Sequence, residues 1–97
     1  GIGGQVAEIV GKLLRKLGKE RQVLCITHLP QVAATGDQQW QVAKSADHAE
    51  SRQVLSKITI LNQQDRVEEI ARMLGGVKIT EATRKHAAEM LQNSARD

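Results

Sequence analysis

Neither phenylalanine nor tyrosine occurs among the 97 residues, and Trp40 is the single aromatic side chain. Modules that read single-stranded nucleic acid stack bases on aromatic platforms, so that mode of binding is all but excluded. One cysteine, Cys25, cannot close an internal disulfide, which suits a reducing compartment. No apolar run is long enough to span a bilayer, and nothing resembles a signal peptide. What is present is ordinary: 40% hydrophobic and 26% charged residues fit a globular chain rather than a disordered one. The length suits one small domain with one modest core. The chain opens on Gly1 rather than Met, which points to a piece of something longer.

The net charge of +3 gathers mostly in Lys12, Arg15, Lys16, Lys19 and Arg21, against Glu20 alone. Such a cluster can attract phosphate or DNA. It can equally be a solvated helix end whose cations complement the C-terminal dipole. The absence of interleaved aromatics or a glycine turn favours the second reading.

Apolar periodicity orders the chain. Val6, Ile9, Val10, Leu13, Leu14 and Leu17 form one stripe of a 3.6-residue period, which predicts a helix that buries this stripe and ends in a left-handed cap at Gly18. Gln22-Val23-Leu24-Cys25-Ile26-Thr27 is apolar without alternation, the pattern of a central parallel strand covered on both faces, with Cys25 in the core. Pro30 then opens a short helical piece over 31–35 that Gly36 ends. Trp40 and Val42 alternate with polar neighbours, and residues 54–61 are rich in β-branched types. The polar connection over 45–51 is too short for a crossover, so these two strands are expected to be antiparallel. Asp65 with Glu68 resembles a capping box ahead of a stripe of Val67, Ile70, Ala71 and Leu74, stopped by Gly75-Gly76. Thr80 caps a last helix whose thin apolar face (Ala82 or Thr83, His86, Ala87, Met90, Leu91) predicts packing at the edge of the domain, or fraying.

Complete active-site patterns are missing. There is no G-x-x-x-x-G-K-[ST], no G-x-G-x-x-G, no G-x-S-x-G and no metal-ligand spacing. His28 stands out by position: it follows the expected parallel strand directly, and ligands of open α/β sheets bind outside that end. There it can hydrogen-bond a phosphate oxygen, or it can simply cap the turn by bonding backbone. His48, in the polar loop, and His86, on a helix stripe, read as structural.

The glycine-rich start, the amphipathic helix, the apolar strand and Thr27-His28-Leu29-Pro30-Gln31-Val32-Ala33 together resemble a stretch of an ABC-type ATPase head. That stretch runs from the D-loop to the H-loop, the switch histidine. Two more segments narrow the resemblance to the SMC-like ATPases of the RecN family. They are residues 66–76 (Arg-Val-Glu-Glu-Ile-Ala-Arg-Met-Leu-Gly-Gly) and the tail with Ile79-Thr80 and His86-Ala87-Ala88-Glu89-Met90-Leu91. The likeness covers essentially the whole chain, although residues 38–62 fit in placement only.

The resemblance implies an α/β fold, part of an ABC-type P-loop NTPase head: helix, parallel strand, H-loop, antiparallel hairpin and two C-terminal helices. Residues 1–97 would be a single incomplete domain, with the D-loop at 1–4 and the H-loop at 27–31. Gly1, Ile2, Gly3 and Gly4 would cross a dimer interface and, with Thr27, help organise a nucleotide site. His28 would contact the γ-phosphate and help position the attacking water. The phosphate-binding loop, signature motif and metal-binding and catalytic carboxylates would precede Gly1, so the segment alone would be inactive. ATP and Mg would belong to the intact protein, with no metal site and no bound cofactor here. That protein would be an ATP hydrolase acting in DNA double-strand break repair and recombination. It would form a homodimer through ATP-engaged heads, bind DNA, have no membrane partner, and be cytoplasmic and nucleoid-associated. An alternative reading is a standalone basic adaptor that binds DNA or a protein partner without catalysis. If neighbouring strands are missing, the open edge at 23–26 is expected to permit self-association.

Overall fold

Asn62 and Thr80 each close the start of a long helix with a side chain, and those two helices hold most of the core. A computed structural model describes residues 3–46, 54–76 and 78–96. Its elements are α1 (Gly4–Gly18), α2 (Pro30–Ala33), β1 (Trp40–Ala46), β2 (Val54–Ile60), α3 (Gln63–Gly75) and α4 (Glu81–Ala95). The chain is thus mixed α/β, with four helices and one antiparallel two-stranded hairpin among the described residues. The tip expected over 45–51, with His48, falls mostly outside the described residues.

α3 starts earlier than its sequence pattern suggests. The Asn62 side chain, not Asp65, is the N-cap, and it accepts the Asp65 amide at 2.8 Å. Asp65 therefore sits in the first turn, where its charge complements the helix dipole. Gly76 stops the helix with φ of 70°, the one positive-φ glycine among the described residues. Gly18 ends α1 without such a cap, since the next residue, Lys19, stays right-handed. Thr80 caps α4 as expected and accepts the Thr83 amide at 3.1 Å.

The core is assembled from Ala34, Ile70, Ala71, Ala87 and Leu91, with Ala33, Val67, Met73, Leu74, Ile79 and Met90 packed around it. α4 accordingly lies at the centre of packing rather than at an edge. Its thin face is small-sided, and alanine at position 87 lets α3 approach closely. His86 and Ala82 on the expected face are exposed. Arg84 of α4 ties back to Glu68 of α3 at 2.7 Å. The hairpin pairs Trp40 with Ile60 and Val42 with Ile58, and Gln41 reaches Glu69 on α3 at 3.0 Å.

Two expectations fail at the other end of the chain. Residues 22–27 form neither strand nor helix, and Leu24 and Ile26 are 76% and 95% exposed. Cys25 is exposed too. A strand exists only through a ladder partner, and the only sheet among the described residues is the β1–β2 pair. The predicted helix α1 is present, but it buries Ala7 and Gly11 and leaves Val6, Ile9, Val10, Leu13 and Leu17 exposed. Its small-residue face meets α2, because only that face permits a close approach.

Candidate functional site

The loop carrying His28 is pinned on both sides. Before it, the Thr27 hydroxyl oxygen accepts the Leu29 amide at 3.0 Å, a side-chain turn spanning His28. After it, Leu29 is the N-cap of α2, and its carbonyl accepts the amides of Val32 (3.1 Å) and Ala33 (3.0 Å). Pro30 opens the helix, where a missing amide costs nothing. The His28 side chain is exposed and has no hydrogen-bond partner among the described residues. Turn capping therefore falls to Thr27, and the imidazole is left available. Thr27→Val removes the acceptor at nearly constant volume. Exchange of the Leu29 amide with solvent should then accelerate roughly fivefold, as losing a hydrogen bond worth about 1 kcal/mol implies.

The glycine-rich start is brought to the same helix. Gly3 is the N-cap of α1, and its carbonyl accepts the Ala7 amide at 3.0 Å. A Cβ at Gly4 would stand 3.2 Å from Gln31 Nε2, so the start of α1 lies against the first turn of α2. Gly1 and Ile2 lie outside the described residues.

Two arginines hold the opposite end of α2. Arg66, buried in the first turn of α3, donates from Nη2 to the carbonyls of Ala33 (3.1 Å), Ala34 (3.5 Å) and Gly36, and from Nε to Gln39 Oε1 at 3.2 Å. Arg15 of α1 donates to the Thr35 carbonyl at 2.9 Å and to Asp37 at 3.1 Å. Burial pushes the Arg66 pKa down; Asp37 opposes this and Arg15 adds to it. A guanidinium titrates so high that Arg66 stays charged. Sequence reasoning missed Arg66 because charge outranks periodicity in a surface reading. Its i, i+4 spacing to Ile70 was the available signal.

The members of the basic cluster differ in their contacts. Arg15 turns inward to α2, and Lys12 pairs with Glu8 on its own helix at 3.3 Å. Lys16, Lys19 and Arg21 are exposed. Two open clefts flank α2. One, of about 570 Å³, is lined by Arg15, Asp37, Gln63, Arg66 and Gln92 among others; the other, of about 480 Å³, by Gly4, Lys12, Gln31 and His86 among others. Thr27 and His28 line neither. Among the described residues no group of three or more His, Cys, Asp or Glu could hold a metal ion. The donor set here does not fit Mg, which takes carboxylate and phosphate oxygens. No described helix is long and apolar enough to cross a membrane.

No protein-family profile matches the chain. Individual proteins do. The chain is 50% identical over 91 residues to the DNA repair protein RecN of Vibrio cholerae, covering 94% of this chain and 16% of that protein. It is 40% identical over 97 residues to RecN of Streptomyces coelicolor, covering 100% of this chain and 16% of that protein. With RecN of Bacillus subtilis the identity is 38% over 94 residues, 97% of this chain and 16% of that protein. The chain thus spans only 16% of the length of the curated relatives it matches. Across the residues that it spans, the chain belongs to the RecN family of DNA repair proteins.

Proposed function

We propose that this chain is the closing portion of an SMC-like ATPase head of the ABC type, and that His28 acts there on the γ-phosphate of ATP. The observation that carries the reading is the exposed imidazole, without a hydrogen-bond partner among the described residues, in a loop held on both sides. Two further features support it. The glycine start of α1 meets the helix that follows His28. The exposed stripe of α1 and the bare residues Leu24 and Ile26 need an apolar cover, which a parallel sheet in the rest of such a head would supply.

In this reading Gly1, Ile2, Gly3 and Gly4 form the D-loop, and Thr27 shapes the turn of the H-loop. ATP is the substrate of the intact protein, sandwiched between two heads of a homodimer, and the Mg ligands come from outside this chain. Water attacks the γ-phosphorus while the bond to the bridging oxygen breaks. The His28 imidazole donates a hydrogen bond to a γ-phosphate oxygen as negative charge shifts there. The segment alone is inactive. The intact protein acts on DNA in double-strand break repair and recombination, in the cytoplasm at the nucleoid. The exposed apolar surface also lets the isolated segment self-associate. A standalone basic adaptor is the weaker reading, because Arg15 and Lys12 are engaged within the chain.

His28→Ala in a full-length protein carrying this segment tests the role. Turnover should fall roughly a hundredfold, the scale for losing one charge-stabilising donor. Nucleotide affinity should change little, since the contact strengthens in the transition state. Unchanged turnover would remove His28 from the reaction.

A further inference from the structure

We propose that Arg66 is a positioning residue for His28: together with Arg15 it fixes the C-terminal end of α2, and through that helix it holds the loop on which His28 stands. The proposal rests on the reading of His28 given above and adds to it the part that α3 plays.

α2 spans 4 residues, Pro30–Ala33. One helical turn has no stability of its own, because nucleation fixes several dihedrals for a single hydrogen bond. It also leaves carbonyls at its C-terminal end without helical partners. Arg66 supplies donors to the carbonyls of Ala33, Ala34 and Gly36, and Arg15 supplies one to Thr35. The guanidinium serves this collar from two fixed directions at once, Nη2 toward the carbonyls and Nε toward Gln39 Oε1, where a lysine would offer only a point charge.

The link to His28 is short. Ala33 presents its carbonyl to Arg66 and its amide to the Leu29 carbonyl. Leu29 in turn donates its amide to Thr27, closing the turn over His28. One helical residue therefore separates the clamp from the loop. The clamp is rigid at its far end as well, because Arg66 sits one turn ahead of Ile70, the largest fully buried side chain.

Charge burial gives a second argument. Arg66 is only 8% exposed, and the core already holds Ile70 and Ala71 beside it on α3. Desolvating a guanidinium is costly, and packing alone would be served better by an apolar side chain. What an apolar side chain could not do is hold three carbonyls at once. Without the clamp, α2 frays and the imidazole spends less time where the phosphate would be.

The test uses a full-length protein with His28→Ala, Arg66→Ala, Arg66→Lys and the His28/Arg66 double variant, each assayed for kcat and KM with ATP. A displaced catalytic contact costs between about tenfold and a hundredfold, so Arg66→Ala should lower kcat at least tenfold with KM within about twofold. Arg66→Lys should fall between it and the unaltered protein. The double variant should be no slower than His28→Ala alone, because Arg66 acts through His28. A purely structural role would multiply the two losses and weaken nucleotide binding as well. Unchanged kcat in Arg66→Ala, or a multiplicative double variant, overturns the proposal while leaving His28 its role. Unchanged turnover in His28→Ala overturns both. If Arg66→Ala fails to fold, the same cycle with Arg66→Lys decides the matter.

Discussion

Ile70→Ala is expected to lower the stability of the chain by about 2–5 kcal/mol, whereas Ile70→Val should cost only about 1 kcal/mol. Ile70 is 0% exposed and is the largest fully buried side chain, in a core otherwise made of three alanines and Leu91. Small neighbours on rigid helices collapse poorly into a vacated volume, so the upper half of that range applies. A chain of this size holds roughly 5–15 kcal/mol in total, so this one truncation removes a large share. Urea unfolding followed by far-ultraviolet circular dichroism measures it. A loss in the alanine variant no larger than in the valine variant would mean that the core lies elsewhere. The same core carries Ala34, the residue just after α2, so the loss reaches the His28 loop as well as the fold.

Helices were legible in the sequence where period and cap agree. The stripe Val67, Ile70, Ala71 and Leu74 did predict a buried face, and Thr80 did predict a cap, because both depend on neighbours within one turn. Asp65 misled by three residues, since Asn62 offers the same kind of acceptor one turn earlier and is not followed by a Glu that advertises it. The apolar stripe of α1 reported correctly that a helix forms, yet it did not report which face this chain can cover. Burial needs a partner, and Ala7 and Gly11 found one where Leu13 did not. Residues 22–27 failed for the same reason: a strand is a property of a pair. The placement of His28 came from its context and from resemblance, whereas the Thr27 turn and the arginine collar became visible only with coordinates. The Thr27 turn is a local hydroxyl motif that spans two positions, whereas the collar contacts join residues up to 33 positions apart, beyond any local pattern.

Gly11 and Gly18 lie in the same helix, and replacing each with alanine is expected to move stability in opposite directions. In an isolated helix either change is favourable by up to about 1 kcal/mol, since glycine is the poorer helix former. At Gly18 nothing lies within 4 Å of an added Cβ, so Gly18→Ala keeps whatever gain the helix end allows. At Gly11 the new Cβ would stand 2.7 Å from Thr35 Cγ2 and 3.0 Å from the Gln31 carbonyl oxygen. Thr35 cannot turn aside freely, because it is buried with its hydroxyl bonded to the Val32 carbonyl at 2.7 Å. The Gln31 oxygen is backbone and moves only with α2. α1 must therefore withdraw, and Arg15 one turn later loses its grip on the Thr35 carbonyl. Overpacking of this kind costs about 1–3 kcal/mol, more than the propensity gain, and Gly11→Leu should exceed it. Thermal unfolding of the two alanine variants side by side reads the sign directly. A stabilised Gly11→Ala would mean that α1 and α2 are not in close contact, and the route from α1 to the His28 loop would fall with it.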